Sequence, residues 1–136
     1  VPGQARQDEA VRYFWSIAPD ADGIELKVSD HLLFFDCGAN LQGIVCPHCG
    51  GDVPVDWWQE QMEDNYEDEF LSLRLYATPC CGKPVTMADL KYDWPQGFAR
   101  FGIDAMNPQI GELQPEEKRR FEEILGVQLR VIYQHL

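Results

Sequence analysis

Apolar and polar positions alternate with a period of two over three stretches in the second half of the chain. Leu71, Leu73, Leu75 and Ala77 are separated by Ser72, Arg74 and Tyr76; Ala88, Leu90, Tyr92 and Trp94 by Asp89, Lys91 and Asp93; and Ala99, Phe101, Ile103 and Ala105 by Arg100, Gly102 and Asp104. Each has the pattern of a strand with one buried face. The links between them are short and carry turn chemistry, Cys81-Gly82-Lys83-Pro84 and Pro95-Gln96-Gly97, which predicts an antiparallel meander. Nearer the start, Tyr13-Phe14-Trp15-Ser16-Ile17 predicts a strand ending at the Pro19-Asp20-Ala21-Asp22-Gly23 turn cluster, and the short apolar runs 24–28 and 32–35 predict two more. Residues 1–10 are polar and are expected to be loose.

Two stretches break this period. Asp56 is placed to cap a helix running through Trp57, Trp58, Gln59 and Met62, with Gln59 at the N3 place of a capping box. The far end of that helix is acidic, which opposes the helix dipole, so it is expected to fray near Glu67. A second helix starts with Pro115 at its first position and stops before Gly126, carrying Phe121, Ile124 and Leu125 on one face. Residues 127–133 are rich in β-branched side chains and predict a returning strand, although Leu129, Ile132 and Leu136 also fit a helix. The elements together predict an α+β fold, a mainly antiparallel sheet with one or two helices packed on it. A length of 136 residues suits a single domain, 1–136, and four of its five cysteines fall within 46–82, which is expected to be a zinc-binding segment inside that domain.

Composition narrows the function. Hydrophobic residues make up 45% of the chain and aromatics 12%, enough for a core that does not depend on metal or disulfides to exist. A net charge of −12 excludes a surface built to neutralise phosphates, so nucleic acid is not the expected partner. The acidity is concentrated: no Lys or Arg occurs between Lys27 and Arg74, a stretch that holds Asp30, Asp36, Asp52, Asp56, Glu60, Glu63, Asp64, Glu67, Asp68 and Glu69. Such a run is most often a solvated face, and its sharper reading is a docking surface for a basic protein. No stretch approaches the roughly 18 apolar residues that a membrane span requires, and the N-terminus lacks the features of a secretion signal. Five cysteines, an odd number gathered mainly into two short clusters, suit metal ligation in a reducing cytoplasm better than a secreted disulfide framework.

The clusters carry the chemistry. Cys46-Pro47-His48-Cys49-Gly50 sets two thiolates with two residues between them, aimed at one metal, with a glycine that permits the tight turn. Some thirty residues on, Thr78-Pro79-Cys80-Cys81-Gly82 falls on a hairpin turn, and two thiolate pairs on two turns can close a tetrahedron. These two segments resemble the zinc-ribbon, or rubredoxin-type, knuckle, whose CPxCG pattern recurs on two hairpins. The chain is similar to small bacterial proteins with this layout, a likeness that implies a structural zinc and supplies no activity. The second segment departs from the pattern: with Cys81-Gly82 aligned on Cys49-Gly50, Thr78 stands where Cys46 does and Cys80 where His48 does. The preference of structural zinc for closed four-thiolate sites selects Cys46, Cys49, Cys80 and Cys81 as the ligands of one ion, with a set joining Cys81 to His48 or Cys37 as the next choice. The competing structural reading is five thiols packed as small hydrophobes with no metal.

The catalytic rival is thiol-disulfide exchange, because CPHC is the active-site tetrapeptide of a class of thioredoxin-like oxidases. That chemistry needs the motif to open a helix, and Gly50, Gly51 and Pro54 follow it too closely. His31, His48 and His135 are scattered, no phosphate-binding GxxxxGK[ST] is present, and four thiolates leave a zinc no open position for water. Trp57 and Trp58, with the group Tyr92, Trp94, Phe98 and Phe101, are expected in the core and otherwise form a contact surface. The sequence therefore predicts a small non-catalytic zinc-binding protein acting through protein contacts, in one version an immunity or inhibitor protein for a basic partner.

Overall fold

The computed structural model describes residues 1–67 and 70–135. In chain order the elements are α1 (Gln4–Ile17), β1 (Gly23–Phe35), β2 (Gly43–Val45), α2 (Val55–Asp64), β3 (Tyr66–Glu67), β4 (Phe70–Leu71), β5 (Tyr76–Ala77), β6 (Pro84–Val85), β7 (Lys91–Asp93), β8 (Gly97–Met106) and α3 (Pro115–Leu125). This is the α+β class that the sequence predicts. Strands order β3-β4-β1-β8 in one sheet, and β2-β7 and β5-β6 form two small ones. The chain divides into two compact units, one made of Val1–Asp30 with Arg100–Val131, the other of His31–Ala99 with the residues from Ile132 on.

In the first unit the opening is neither loose nor a strand, because α1 spans both regions. Ala10, Tyr13, Phe14 and Ile17 follow the spacing i, i+3, i+4, i+7, and burying that stripe overrides the β-preference of each aromatic taken alone. Tyr13 and Phe14 meet Phe121 of α3 edge-on, with ring centroids 4.9 Å and 5.1 Å away. The start of α3 matches its sequence signal, Pro115 at the first position, and the structure adds a capping box in which the Gln114 backbone N–H donates to Glu117 Oε1 at 2.9 Å. Phe121, Ile124 and Leu125 are buried as expected. The two apolar runs after the first turn are a single strand, since Ser29, Asp30 and His31 simply continue β1. Lys27 and Asp104 pair at 3.3 Å on the neighbouring strands β1 and β8, both half-exposed. The returning strand expected over 127–133 does not form, and neither does the helical alternative over its described residues; Leu136 lies outside them. The Leu129 N–H donates instead to Glu122 Oε2 at 3.0 Å, a side-chain bond in place of a ladder.

In the second unit Ile44, Cys46, Val53, Trp58, Met62, Val85, Met87 and Leu90 form the core. Phe34 stacks on Phe98 at 5.0 Å and meets Trp58 edge-on at 5.9 Å. Trp58 Nε1 donates to the Tyr92 hydroxyl at 2.9 Å, which in turn donates to the Met87 carbonyl. The aromatic residues singled out in the sequence thus separate: Trp58, Tyr92 and Phe98 belong to this core, Phe101 to that of the first unit, and Trp94 stays partly exposed against Tyr133.

Five local expectations are corrected here. Helix α2 begins at Val55 behind Pro54, so Asp56 sits inside the first turn and caps nothing by its side chain. The helix stops at Asp64, short of Glu67, because Asn65 ends it. Buried Asn65 donates through Nδ2 to the Gln61 carbonyl at 3.0 Å, accepts the Arg74 N–H on Oδ1 at 3.1 Å, and accepts the Ser72 N–H on its own carbonyl at 2.8 Å. Those bonds bind the backbone of 72–74, so the strand expected over 71–77 breaks into β4 and β5. The meander is also replaced: β5 pairs with β6, β7 with β2 and β4 with β1. Residues 86–90 are turns, held by Thr86 N–H donating to Asp89 Oδ2 at 2.8 Å, which leaves only Lys91–Asp93 of that alternating run as strand.

Candidate metal centre

Two turns of matching backbone geometry carry the cysteines. In the first, which follows β2, the Gly50 N–H donates to the Cys46 carbonyl at 3.0 Å and the Cys46 N–H to the Gly51 carbonyl at 2.9 Å. In the second, between β5 and β6, the Gly82 N–H donates to the Thr78 carbonyl at 2.9 Å and the Thr78 N–H to the Lys83 carbonyl at 3.1 Å. Gly50 and Gly82 both have φ of +72°, a left-handed conformation that glycine takes without a Cβ penalty. The structure therefore equates Cys46 with Thr78, His48 with Cys80, Cys49 with Cys81 and Gly50 with Gly82, as the alignment of the two segments predicts.

Four sulfurs meet between these turns. The Sγ atoms of Cys46, Cys49, Cys80 and Cys81 all lie within 4.8 Å of one another, and Cys46 Sγ is 3.8 Å from Cys81 Sγ. A tetrahedron of thiolates with metal–sulfur bonds of about 2.3 Å has edges of about 3.8 Å. The cluster thus has the size of a four-thiolate coordination shell, and the four residues singled out in the sequence are the four brought together.

The turns also supply donors to the sulfurs. The His48 N–H reaches Cys46 Sγ at 3.4 Å and the Gly51 N–H reaches Cys49 Sγ at 3.3 Å. Hydrogen bonds from the Cys49 and His48 N–H groups and from the Cys80 and Cys81 thiols hold the buried Cys46 thiol down at about 6. The Gly51 N–H favours ionisation of Cys49, but Cys80, burial, Cys46 and Cys81 together push it up to about 11. Cys81 is lowered by its hydrogen bond with the Thr78 hydroxyl, at 3.2 Å, and by the Lys83 N–H. Full ionisation of the set needs a cation among them, since metal-bound thiols lose their protons outright.

The alternative ligands stand apart from the cluster. Cys37 is buried, its N–H and Sγ both on Gln96 Oε1 at 3.2 Å and 3.4 Å, and burial raises its pKa. His48 turns its Nε2 to the Pro84 carbonyl at 3.1 Å and so ties the first turn to β6. His135 serves through its backbone, its carbonyl accepting the Ala39 N–H at 2.7 Å.

Two contributors carry no signal strong enough to mark them as site residues in the sequence. Thr78 supplies the hydroxyl on Cys81, and its alignment with Cys46 is the available hint. Gly51 has no side chain where a Cβ would stand 3.2 Å from Cys49 Sγ and 3.3 Å from the Cys80 Cβ. The doubled glycine after Cys49 is the only trace of that requirement in the sequence.

Comparison with known families, curated proteins and solved structures finds no match to this chain. Among the described residues, no helix is long and apolar enough to cross a membrane.

Proposed function

We propose that the chain is a zinc-binding protein of zinc-ribbon type whose single ion is structural, and that it acts through protein contacts rather than catalysis, in the cytoplasm. The observation that carries the metal reading is the four-sulfur cluster with a 3.8 Å edge. Zinc is the fitting ion because a closed tetrahedral all-thiolate set is its structural preference. Four sulfurs fill the coordination shell and leave no position at which water or substrate would be activated. Bound zinc measured in reduced protein purified without added metal is expected at about one equivalent and should survive dialysis. A content near zero would remove the proposal.

One observation favours the redox reading, the Cys46 thiol held at about 6 in a CPHC segment. Its accessibility opposes that reading. The sulfur that would attack, Cys46, is buried while Cys49 is exposed, and reactive cysteines need access to their substrate. The motif also precedes a turn and an isolated bridge, Val45 with Asp52, rather than a helix.

The proposed contact surface is α2 and its surroundings. Glu60 and Glu63 are exposed there, and Glu63 lines a shallow groove of about 500 Å³ together with Phe34, Trp58, Gln59, Met62 and Tyr66. An apolar floor with an acidic rim suits a basic protein, such as a toxin held by an immunity protein. Asp64, in the same acidic run, is engaged within the fold, where it accepts the Tyr76 hydroxyl at 2.6 Å and pairs with Arg74 at 3.4 Å. Burial first and this carboxylate second push Tyr76 up to about 12. Asp68 and Glu69 lie outside the described residues. With the partner captured from the native host, replacing Glu60 and Glu63 by Ser is expected to slow association and flatten its salt dependence without altering the fold. Unchanged association kinetics at low ionic strength would make the run an ordinary solvated face.

A further inference from the structure

We infer that Thr78 occupies the vacated first-ligand position of the second turn, where its hydroxyl positions the Cys81 sulfur, and that Cys80 supplies the thiolate which Thr78 does not. This rests on the metal reading above and adds to it which residue sets the ligand choice. Four backbone correspondences superimpose the two turns residue for residue. The Thr78–Lys83 and Gly82–Thr78 bonds repeat Cys46–Gly51 and Gly50–Cys46, the Lys83 N–H serves Cys81 as the Gly51 N–H serves Cys49, and the two glycines share one φ. On that frame the first turn ligates from its first and fourth positions, Cys46 and Cys49. The second ligates from its third and fourth, Cys80 and Cys81, and its first position holds Thr78.

The position remains part of the site although it holds no sulfur. Thr78 is buried, and its Oγ1 stands 3.2 Å from Cys81 Sγ, nearer than the 3.8 Å separating Cys81 from Cys46, the residue equivalent to Thr78. Toward a metal-bound thiolate the hydroxyl is the donor, since the sulfur then has no proton to give. Such outer-shell donors fix the ligand's orientation, and removing one typically weakens metal binding about 10- to 100-fold. Because Cys, Ser and Thr are close in size, a sulfur at position 78 would fall at ligand distance from Cys81 with little disturbance of the turn.

Cobalt(II), whose thiolate charge-transfer absorption reports the number of bound sulfurs, is titrated into reduced metal-free protein, and zinc affinity is obtained by competition. Thr78→Val, which keeps the shape and removes the donor, is expected to weaken zinc binding about 10- to 100-fold. Thr78→Ser is expected to restore it. Cys80→Ser is expected to show the weaker absorption of three thiolates, and Thr78→Cys combined with Cys80→Ser to recover the four-thiolate spectrum. A Thr78→Val protein with wild-type affinity and spectrum overturns the positioning role. A double variant no better than Cys80→Ser, or one that does not fold, overturns the equivalence of positions. Wild-type protein that binds neither cobalt nor zinc removes the metal reading itself, so the two failures are told apart.

Discussion

Removing the metal with a strong chelator under reducing conditions is expected to lower the melting temperature by on the order of 10 °C. An ion that binds only the folded chain adds about 4 kcal/mol when its free concentration is a thousandfold above Kd. At the entropy of unfolding usual for a chain of this size, that free energy corresponds to a shift of roughly that many degrees. The loss should fall on the second unit, where Cys46 is itself a core residue packed with Ile44, Val53 and Val85. Without an ion, nothing bridges the four sulfurs, so the turns lose the metal bonds that would join them. Amide exchange would locate the effect, with protection lost at the Gly50, Gly51 and Gly82 N–H groups while the α1 and α3 amides of the first unit keep theirs. A melting temperature indifferent to chelation, in protein shown to carry zinc beforehand, would reduce the ion to a surface passenger.

The second large effect is expected from Trp58→Ala. Trp58 is buried, meets Phe34 and Tyr92 edge-on at 5.9 Å each, and donates its indole N–H to the Tyr92 hydroxyl. Truncating a buried tryptophan costs about 3–5 kcal/mol, because the transfer energy of the ring is lost and the cavity collapses only in part. The variant is expected to unfold in denaturant at a much lower midpoint, with the slope of the transition little changed. Trp58→Phe, which retains an aromatic ring but not the N–H, should lose a smaller part. Equal losses for the two variants would assign the stability to the hydrogen bond rather than to the packed ring.

The legibility of the chain divides by the range of the interactions involved. Helix α3 is readable because its signals are local and agree: Pro115 opens it, Phe121, Ile124 and Leu125 share one face, and Gly126 closes it. The two cysteine-bearing turns are readable for the same reason, since each is determined by a few adjacent residues with a left-handed glycine at one end. Helix α1 reads wrongly as a strand because Tyr13-Phe14-Trp15 is locally strand-like, and its helical stripe acquires meaning only once Phe121 is present to cover it. The strand expected over 71–77 fails on one buried polar residue, Asn65, whose bonds to 72 and 74 are invisible in the alternation itself.

The sequence by itself determined the α+β class, the position of α3, and the two turns that hold Cys46, Cys49, Cys80 and Cys81, because capping, glycine conformation and residue spacing act over a few bonds. Tertiary structure decided which strands pair, that α1 is a helix, that Cys37 lies apart on Gln96, and that adjacent Cys80 and Cys81 both turn toward the first knuckle. Those outcomes depend on which apolar faces are covered and on which distant backbone groups find partners. Many pairings satisfy the same local pattern, and only the assembled core, with its buried polar groups satisfied, selects one of them.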